Sequence, residues 1–308
     1  MKSERTFIAM ILFSVSLFLT KMMGVIAAFP LMPTRVVLGS KLYWALNFLA
    51  GGLLVAIGQY EWGGIFVLLT VLLGSFGEFE SRGDSLQTAG VCSIIVTLIV
   101  SAGVFGVAYL AYGAELFKMI QQGYAAGFNA LNAMYVEQFG EQLMDEKTLS
   151  ALKMQIPSFV VMGLLVALFF GLLGEARLLR LSGLAKGKNF YQLSEFRLHD
   201  AIIWFFIASL LGSFWNHGNE PIQAVATNVL NVSVLLLFFQ GLAVMSRFFE
   251  VFKVGAFWRI LWTVLLVVQL SLGIILLGLT DYWLDFRKRF KQHAAAIKEG
   301  QKNNSGRK

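Results

Sequence analysis

Residues 256–280 form an apolar run that carries one charge near its start, Arg259, and then twenty-one residues without another. At about 1.5 Å per residue, such a run crosses a hydrocarbon core of about 30 Å as a helix. Tyr282 and Trp283 follow where an aromatic belt belongs, and Arg287, Lys288 and Arg289 supply a headgroup anchor. Eight further apolar runs precede it, at 7–20, 22–38, 42–58, 62–79, 86–112, 157–173, 201–215 and 224–246. A chain with this pattern must fold in lipid.

Composition agrees. Hydrophobic residues make up 57% of the chain and charged residues 14%, against about 25% charge in a soluble domain. A water-facing surface of normal size cannot be built from that. Glycine is abundant (30) and proline scarce (4), which suits closely packed membrane helices. The net charge of +7 is uneven, because eight basic residues fall between Arg287 and Lys308. Beside a span, such a tail reads as an anchor for anionic lipid rather than an arm for nucleic acid. Cys92 is the sole cysteine, so no internal disulfide forms, and within an apolar run it reads as a small buried hydrophobe. The stretch 7–19 lacks a small-x-small cleavage site and Lys21 interrupts it, so it reads as a retained first span rather than a signal peptide.

The run 22–38 contains Pro30, Pro33 and Arg35, which points to a broken or partly inserted helix. The expected fold is therefore an all-α polytopic membrane protein. It is a bundle of eight transmembrane helices if the first two runs form one kinked element, and of nine if they do not. One transmembrane domain is expected over 1–286, with a membrane-flanking amphipathic helix at 113–156 and a basic, disordered tail at 287–308. Basic residues at 177–197 and 247–253 should share a side, and with one span between them the tail should lie opposite 247–253. The positive-inside rule then fails for one cluster. Lys2 and Arg5 favour cytoplasmic termini.

In the hydrophilic stretch, Phe117, Tyr124, Phe128, Leu131 and Tyr135 recur on one helical face, which reads as interfacial packing or a partner surface. Glu137, Glu141 and Asp145 repeat every fourth residue; that spacing is more often a solvated face than a cation site. The three histidines lack metal-ligand spacing, no Cys–His set or G-x-S-x-G elbow occurs, and the basic loop 183–189 falls one residue short of a phosphate loop. No catalytic residue, metal site or cofactor is expected. Polar groups inside spans are the better candidates, because an unpaired amide in hydrocarbon must face protein or water. Asn228 and Asn231 share a face, Gln240 lies further along that run, and Asn47 and Gln269 lie within two others. These five either line a small-molecule cavity or join helices. Lys21, Glu78, Glu80 and Glu175 lie at span edges, where snorkelling accounts for them. Ala89, Ser93, Thr97 and Ser101, and likewise Gly163, Ala167 and Gly171, make small-residue packing faces.

Three C-terminal pieces resemble the YybS-like family of bacterial integral membrane proteins. They are Leu193-Ser-Glu-Phe-Arg-Leu198, Phe239-Gln-Gly-Leu-Ala-Val244 and Gly278-Leu-Thr-Asp-Tyr-Trp-Leu-Asp-Phe-Arg-Lys-Arg289, covering about the last third of the chain. His199 stands where that family tends to carry proline. The resemblance implies a bacterial inner-membrane address and a distant similarity to the S components of energy-coupling-factor vitamin transporters. Those dock their partner through a small-xxx-small face on the first helix. Here that helix presents Ala9, Phe13 and Leu17, or Met10, Ser14 and Phe18, so the face is missing. The resemblance carries over no catalytic residue. Two functions stay open: a non-enzymatic small-solute binding or transport component, and a scaffold or assembly partner in an envelope complex.

Overall fold

The computed structural model describes residues 2–140, 152–183, 193–214, 220–290 and 292, and no strand occurs among them. The chain divides into two compact units, residues 1–190 and 191–308, each taken by itself below.

Unit 1 comprises α1 (Lys2–Met23), a 3-10 turn (Gly24–Ala27), α2 (Ala28–Leu38), α3 (Ser40–Ala56), α4 (Tyr60–Ser81), α5 (Leu86–Tyr112), α6 (Ala114–Phe139) and α7 (Ile156–Leu181). Helix α4 is its centre. It is buried without interruption from Leu69 to Gly77 and packs on α1, α2, α3, α5 and α7. Lipid tails are as apolar as leucine, so close backbone approach, rather than a drive to leave water, must hold these helices together. Glycines provide it: an added Cβ on Gly51 would strike Val67, one on Gly63 would strike Val55 and Leu54, and one on Gly74 would strike Trp44. The expected small face of α5 is buried at Ala89, Ser93 and Thr97, and its hydroxyls bond back to their own helix.

The second run is interrupted, but at the 3-10 turn Gly24–Ala27 rather than at its prolines, since α2 stays helical through Pro30, Pro33 and Arg35. Gly24 takes φ +55, and α1 and α2 pack against each other across the turn. Pro33 lies inside α2 and has no N–H, so the carbonyl of Phe29, four residues back, loses its helical donor. Gly174 of α7 sits directly on that carbonyl; a Cβ there would come within 1.8 Å of the Phe29 oxygen. A Cα–H contact is what fits the freed oxygen, and only glycine leaves room for it. The proline and the glycine thus lock α2 into the bundle, with Ala28, Pro30, Leu31, Met32, Pro33 and Thr34 all buried.

Unit 2 comprises a short 3-10 turn (Leu193–Glu195), α8 (Ala201–Phe214), α9 (Glu220–Val251), α10 (Ala256–Gln269) and α11 (Ser271–Leu284). Helices α9 and α11 touch backbone to backbone, since a Cβ on Gly241 would meet the Ile274 oxygen and one on Gly278 the Leu237 oxygen, each at 2.0 Å. A polar latch closes over the contact. Gln240 donates to the Gly278 oxygen (3.0 Å) and to Asp281 Oδ2 (3.4 Å), and its own oxygen accepts the Leu198 N–H (3.0 Å). Asp281, 1% exposed, also accepts from the Phe286 N–H (3.0 Å) and from Arg287 (2.6 Å), whose other terminal nitrogen reaches the Phe196 oxygen (2.6 Å). The three segments of the family resemblance are the three segments this latch joins.

Several expectations need correcting here. Residues 256–280 are not one span: α10 and α11 meet at Leu270 with a bend of 100°. The pair then returns to the end of α9 from which it left, because the Phe290 ring lies 5.6 Å from Phe248 and 6.3 Å from Phe252. Arg247 faces Glu195 (4.0 Å) and Arg197 faces Asp285 (3.9 Å) at the same end. The basic residues of 193–197, 247–253 and 285–289 therefore sit together, and the conflict with the positive-inside rule disappears within this unit. Arg287 is not a headgroup anchor but a buried partner of Asp281. The tail accordingly starts later than 287, since residues 286–290 are helical and packed.

By length and composition, five helical stretches among the described residues could cross a membrane, or six if the bent pair counts as one. They are Phe7–Leu38, Tyr60–Ser81, Leu86–Tyr112, Ile156–Leu181 and Pro221–Val251. The difference from eight or nine lies in the first two runs, which count as one stretch, in α3 and α8, which are 17 and 14 residues long, and in the bent last run.

Because Cys92 is the sole cysteine, Cys92→Ser gives a background for accessibility mapping. Lys253→Cys and Lys288→Cys should react with an impermeant maleimide from the same side of sealed vesicles. Labelling from opposite sides would restore the single crossing.

Candidate functional site

An arginine and a glutamate sit together inside unit 1, where α2, α3 and α4 converge. Arg35 stands in the last turn of α2, and Gly77 of α4 clears the space its guanidinium occupies; a Cβ there would lie 2.1 Å from it. Arg35 pairs with Glu78 at 3.2 Å. The same Glu78 oxygen accepts from the Ser40 hydroxyl and from the Trp44 indole N–H (3.4 Å). Glu78 is thus held by three donors from two other helices while 36% of its side chain stays exposed, so snorkelling alone does not account for it. Glu175 is likewise buried within α7 rather than reaching out from its end.

Deeper in the α3–α4 contact, Tyr43, Asn47 and Thr70 are each fully buried. The Tyr43 hydroxyl donates to the Thr70 main-chain oxygen (3.3 Å), and the Asn47 amide donates to the Tyr43 oxygen (2.7 Å). Trp44 against Gly74 and Gly51 against Val67 set an antiparallel register that brings Asn47 level with the turn containing Thr70. Two buried atoms here have no hydrogen-bond partner, Asn47 Oδ1 and the Thr70 hydroxyl, and Arg35 Nε on α2 has none either. A buried polar atom left unpaired costs about 1–3 kcal/mol, so three within the packing of α2, α3 and α4 are a feature to be explained.

Of the five expected ligand residues, Asn47 lies in unit 1 and the other four in unit 2. Asn47 belongs to this cluster. Gln240 is committed to the latch of unit 2, with both amide hydrogens and its oxygen in use. Asn228 and Asn231 are half-buried in α9, and Asn228 donates to the Ala224 oxygen (2.7 Å) in the preceding turn. Gln269 is exposed at the end of α10. Of the aromatic face on α6, Tyr135 is half-buried against Phe139, with ring centroids 4.6 Å apart. The side chains of Phe117, Tyr124 and Phe128 lie outside the described residues, as do Glu141 and Asp145. No group of three or more His, Cys, Asp or Glu side chains among the described residues could hold a metal ion. Arg35, Tyr43, Thr70 and Glu78 were missed by sequence reasoning. The usable signal was the pair of opposite charges inside two apolar runs, 22–38 and 62–79.

Replacing Arg35 by Met should lower stability by about 1–3 kcal/mol, because Glu78 keeps only neutral donors. The double variant Arg35→Met/Glu78→Met should recover most of that loss, measured as melting temperature in detergent. Equal losses in the single and double variants would show that the pair is not coupled.

No curated protein and no solved structure matches the chain. A family model does, over residues 6–282, which is most of the chain. The protein belongs to the family described as "Predicted membrane protein (DUF2232)".

Proposed function

We propose that the chain is a non-enzymatic small-solute binding or transport component of the bacterial inner (cytoplasmic) membrane, with its ligand at the α2–α3–α4 junction. One observation carries this reading: Arg35 Nε, Asn47 Oδ1 and the Thr70 hydroxyl, on α2, α3 and α4, are buried and unpaired. Together they offer a cationic donor, a neutral acceptor and a hydroxyl that does either, a set suited to a small polar solute. The broken element before α2 supports it, because transporters build mid-membrane sites from discontinuous helices. The YybS-like resemblance, and through it a distant kinship to vitamin-transporter S components, points the same way. The basic end of unit 2 then faces the cytoplasm.

The scaffold reading is favoured by a different observation. Helix α6 packs on α5 and leaves Met119, Met134, Val136 and Phe139 exposed, a surface on which a membrane protein partner could rest.

The two readings part at Asn47→Leu/Thr70→Val. That variant should melt at or above the parent temperature, since it removes unpaired buried atoms. It should also lose any thermal shift that a metabolite panel induces in the parent. A clearly lower melting temperature would make the cluster structural and end the solute reading. A parent that no metabolite shifts, but that co-purifies with a partner cross-linked through α6, would favour the scaffold.

A further inference from the structure

At the end of unit 2 where α9 and α11 stop, six basic side chains gather from three distant stretches of sequence. Three of them are spoken for. Arg197 faces Asp285, Arg247 faces Glu195 and Glu250, and Arg287 is bound to Asp281. Those acids are the four that the same segments supply at this end. Lys253, Lys288 and Arg289 are exposed and take part in no ion pair among the described residues. They flank an aromatic floor in which Phe248 and Phe252 lie 4.5 Å apart and Phe290 closes on both.

The backbone marks the same place. Among the described residues only two non-glycine positions take positive φ, Lys253 (+52°) and Asp285 (+44°), and they end α9 and α11. Lys253 closes α9 by the hydrogen bonds Lys253 N–H to Glu250 O and Val254 N–H to Phe249 O, in a conformation that favours glycine. A lysine is therefore held where the backbone alone would prefer none. Unpaired cations at the ends of two apolar helices, next in sequence to this cluster of rings, complement one kind of surface. Tyr282 and Trp283, 5.3 Å apart with Trp283 exposed, continue the aromatic edge along α11.

We propose that this end of unit 2 binds the headgroup of an anionic phospholipid, with Lys253, Lys288 and Arg289 meeting the phosphate charge and Phe248, Phe252 and Phe290 meeting the start of the acyl chains. The inference is independent of the solute site in unit 1. It is also distinct from attraction to the basic tail beyond residue 292, which carries Lys298, Lys302, Arg307 and Lys308.

The test is lipid binding by the full-length protein in neutral detergent, read by native mass spectrometry with phosphatidylglycerol, phosphatidylcholine or inorganic phosphate added. With about 1 kcal/mol per basic residue near an anionic surface, the parent should prefer phosphatidylglycerol on the order of a hundredfold. Lys253→Gln/Lys288→Gln/Arg289→Gln should bring the two lipids within a few-fold of each other. Neutralising Lys298, Lys302, Arg307 and Lys308 to Gln should leave most of the preference intact. The proposal fails if the parent does not discriminate between the lipids, or if the tail variant rather than the triple variant abolishes the preference. It fails also if millimolar phosphate displaces phosphatidylglycerol, which would make the surface a free-anion site. Circular dichroism on each variant ensures that a lost preference is not a lost fold.

Discussion

Each unit holds an arginine paired with a carboxylate, and in unit 2 both partners are buried, while Glu78 of unit 1 keeps 36% of its side chain exposed. In unit 2 the pair is Arg287 with Asp281, the carboxylate 1% exposed and the distance 2.6 Å. In unit 1 it is Arg35 with Glu78, at 3.2 Å. Taking either ion from water into a low-dielectric interior costs several kcal/mol, and the pair recovers this only if the remaining donors and acceptors are also met. The consequence is geometric. Each pair has to recruit groups from further segments, and in doing so it fixes where those segments lie.

Unit 2 shows the requirement met in full. Asp281 accepts from Arg287, Gln240 and the Phe286 N–H, Arg287 reaches the Phe196 oxygen, and Gln240 spans Leu198 and Gly278. One buried carboxylate thereby fastens α9, α11 and the 193–198 strap to each other. The close contact of Gly241 and Gly278 is what allows it, since the side chain of Gln240 could not span two ordinary helix pairs. The same latch returns α11 to the end of α9. The re-entrant course of 256–284 thus follows from electrostatics as much as from hydropathy.

The apolar character of the chain was legible in its runs, and so was the packing face of α5; the interruption of the second run was legible but not its place, which is Gly24–Ala27 and not the prolines. A hydropathy run records only that a segment is apolar; it does not record which end its chain leaves by. Residues 256–280 are continuous in composition and broken in space, because Leu270 offers no proline or glycine to announce the bend. Glu78 was misread for a related reason. At the edge of a run a carboxylate looks free to snorkel, and only the register of α2 against α4 reveals Arg35 beside it. Gln240 looked like a ligand residue because a lone amide in a span has no visible partner, and its partners lie 38 to 42 residues away in sequence.

The contrast between the Gln240–Asp281 latch and the Asn47–Thr70 contact is what supports placing the proposed solute site in unit 1, although Arg247 Nε and Arg259 Nε of unit 2 are also buried and unpaired. Every donor and acceptor of Gln240 and the Asp281 carboxylate is engaged, so a ligand entering that network would have to break bonds worth as much as it makes. In unit 1 the bonding stops short: Arg35 Nε on α2, the Asn47 oxygen on α3 and the Thr70 hydroxyl on α4 are buried and unpaired. A bundle that needed only to hold its helices together gains nothing from such atoms, since Leu and Val would fill the same volume without the desolvation cost. Their presence beside a charge pair, next to a helix that follows the 3-10 break at Gly24–Ala27, is the kind of arrangement that the proposed polar guest would complete. The saturated latch keeps a fold; the unsaturated one has capacity left for binding.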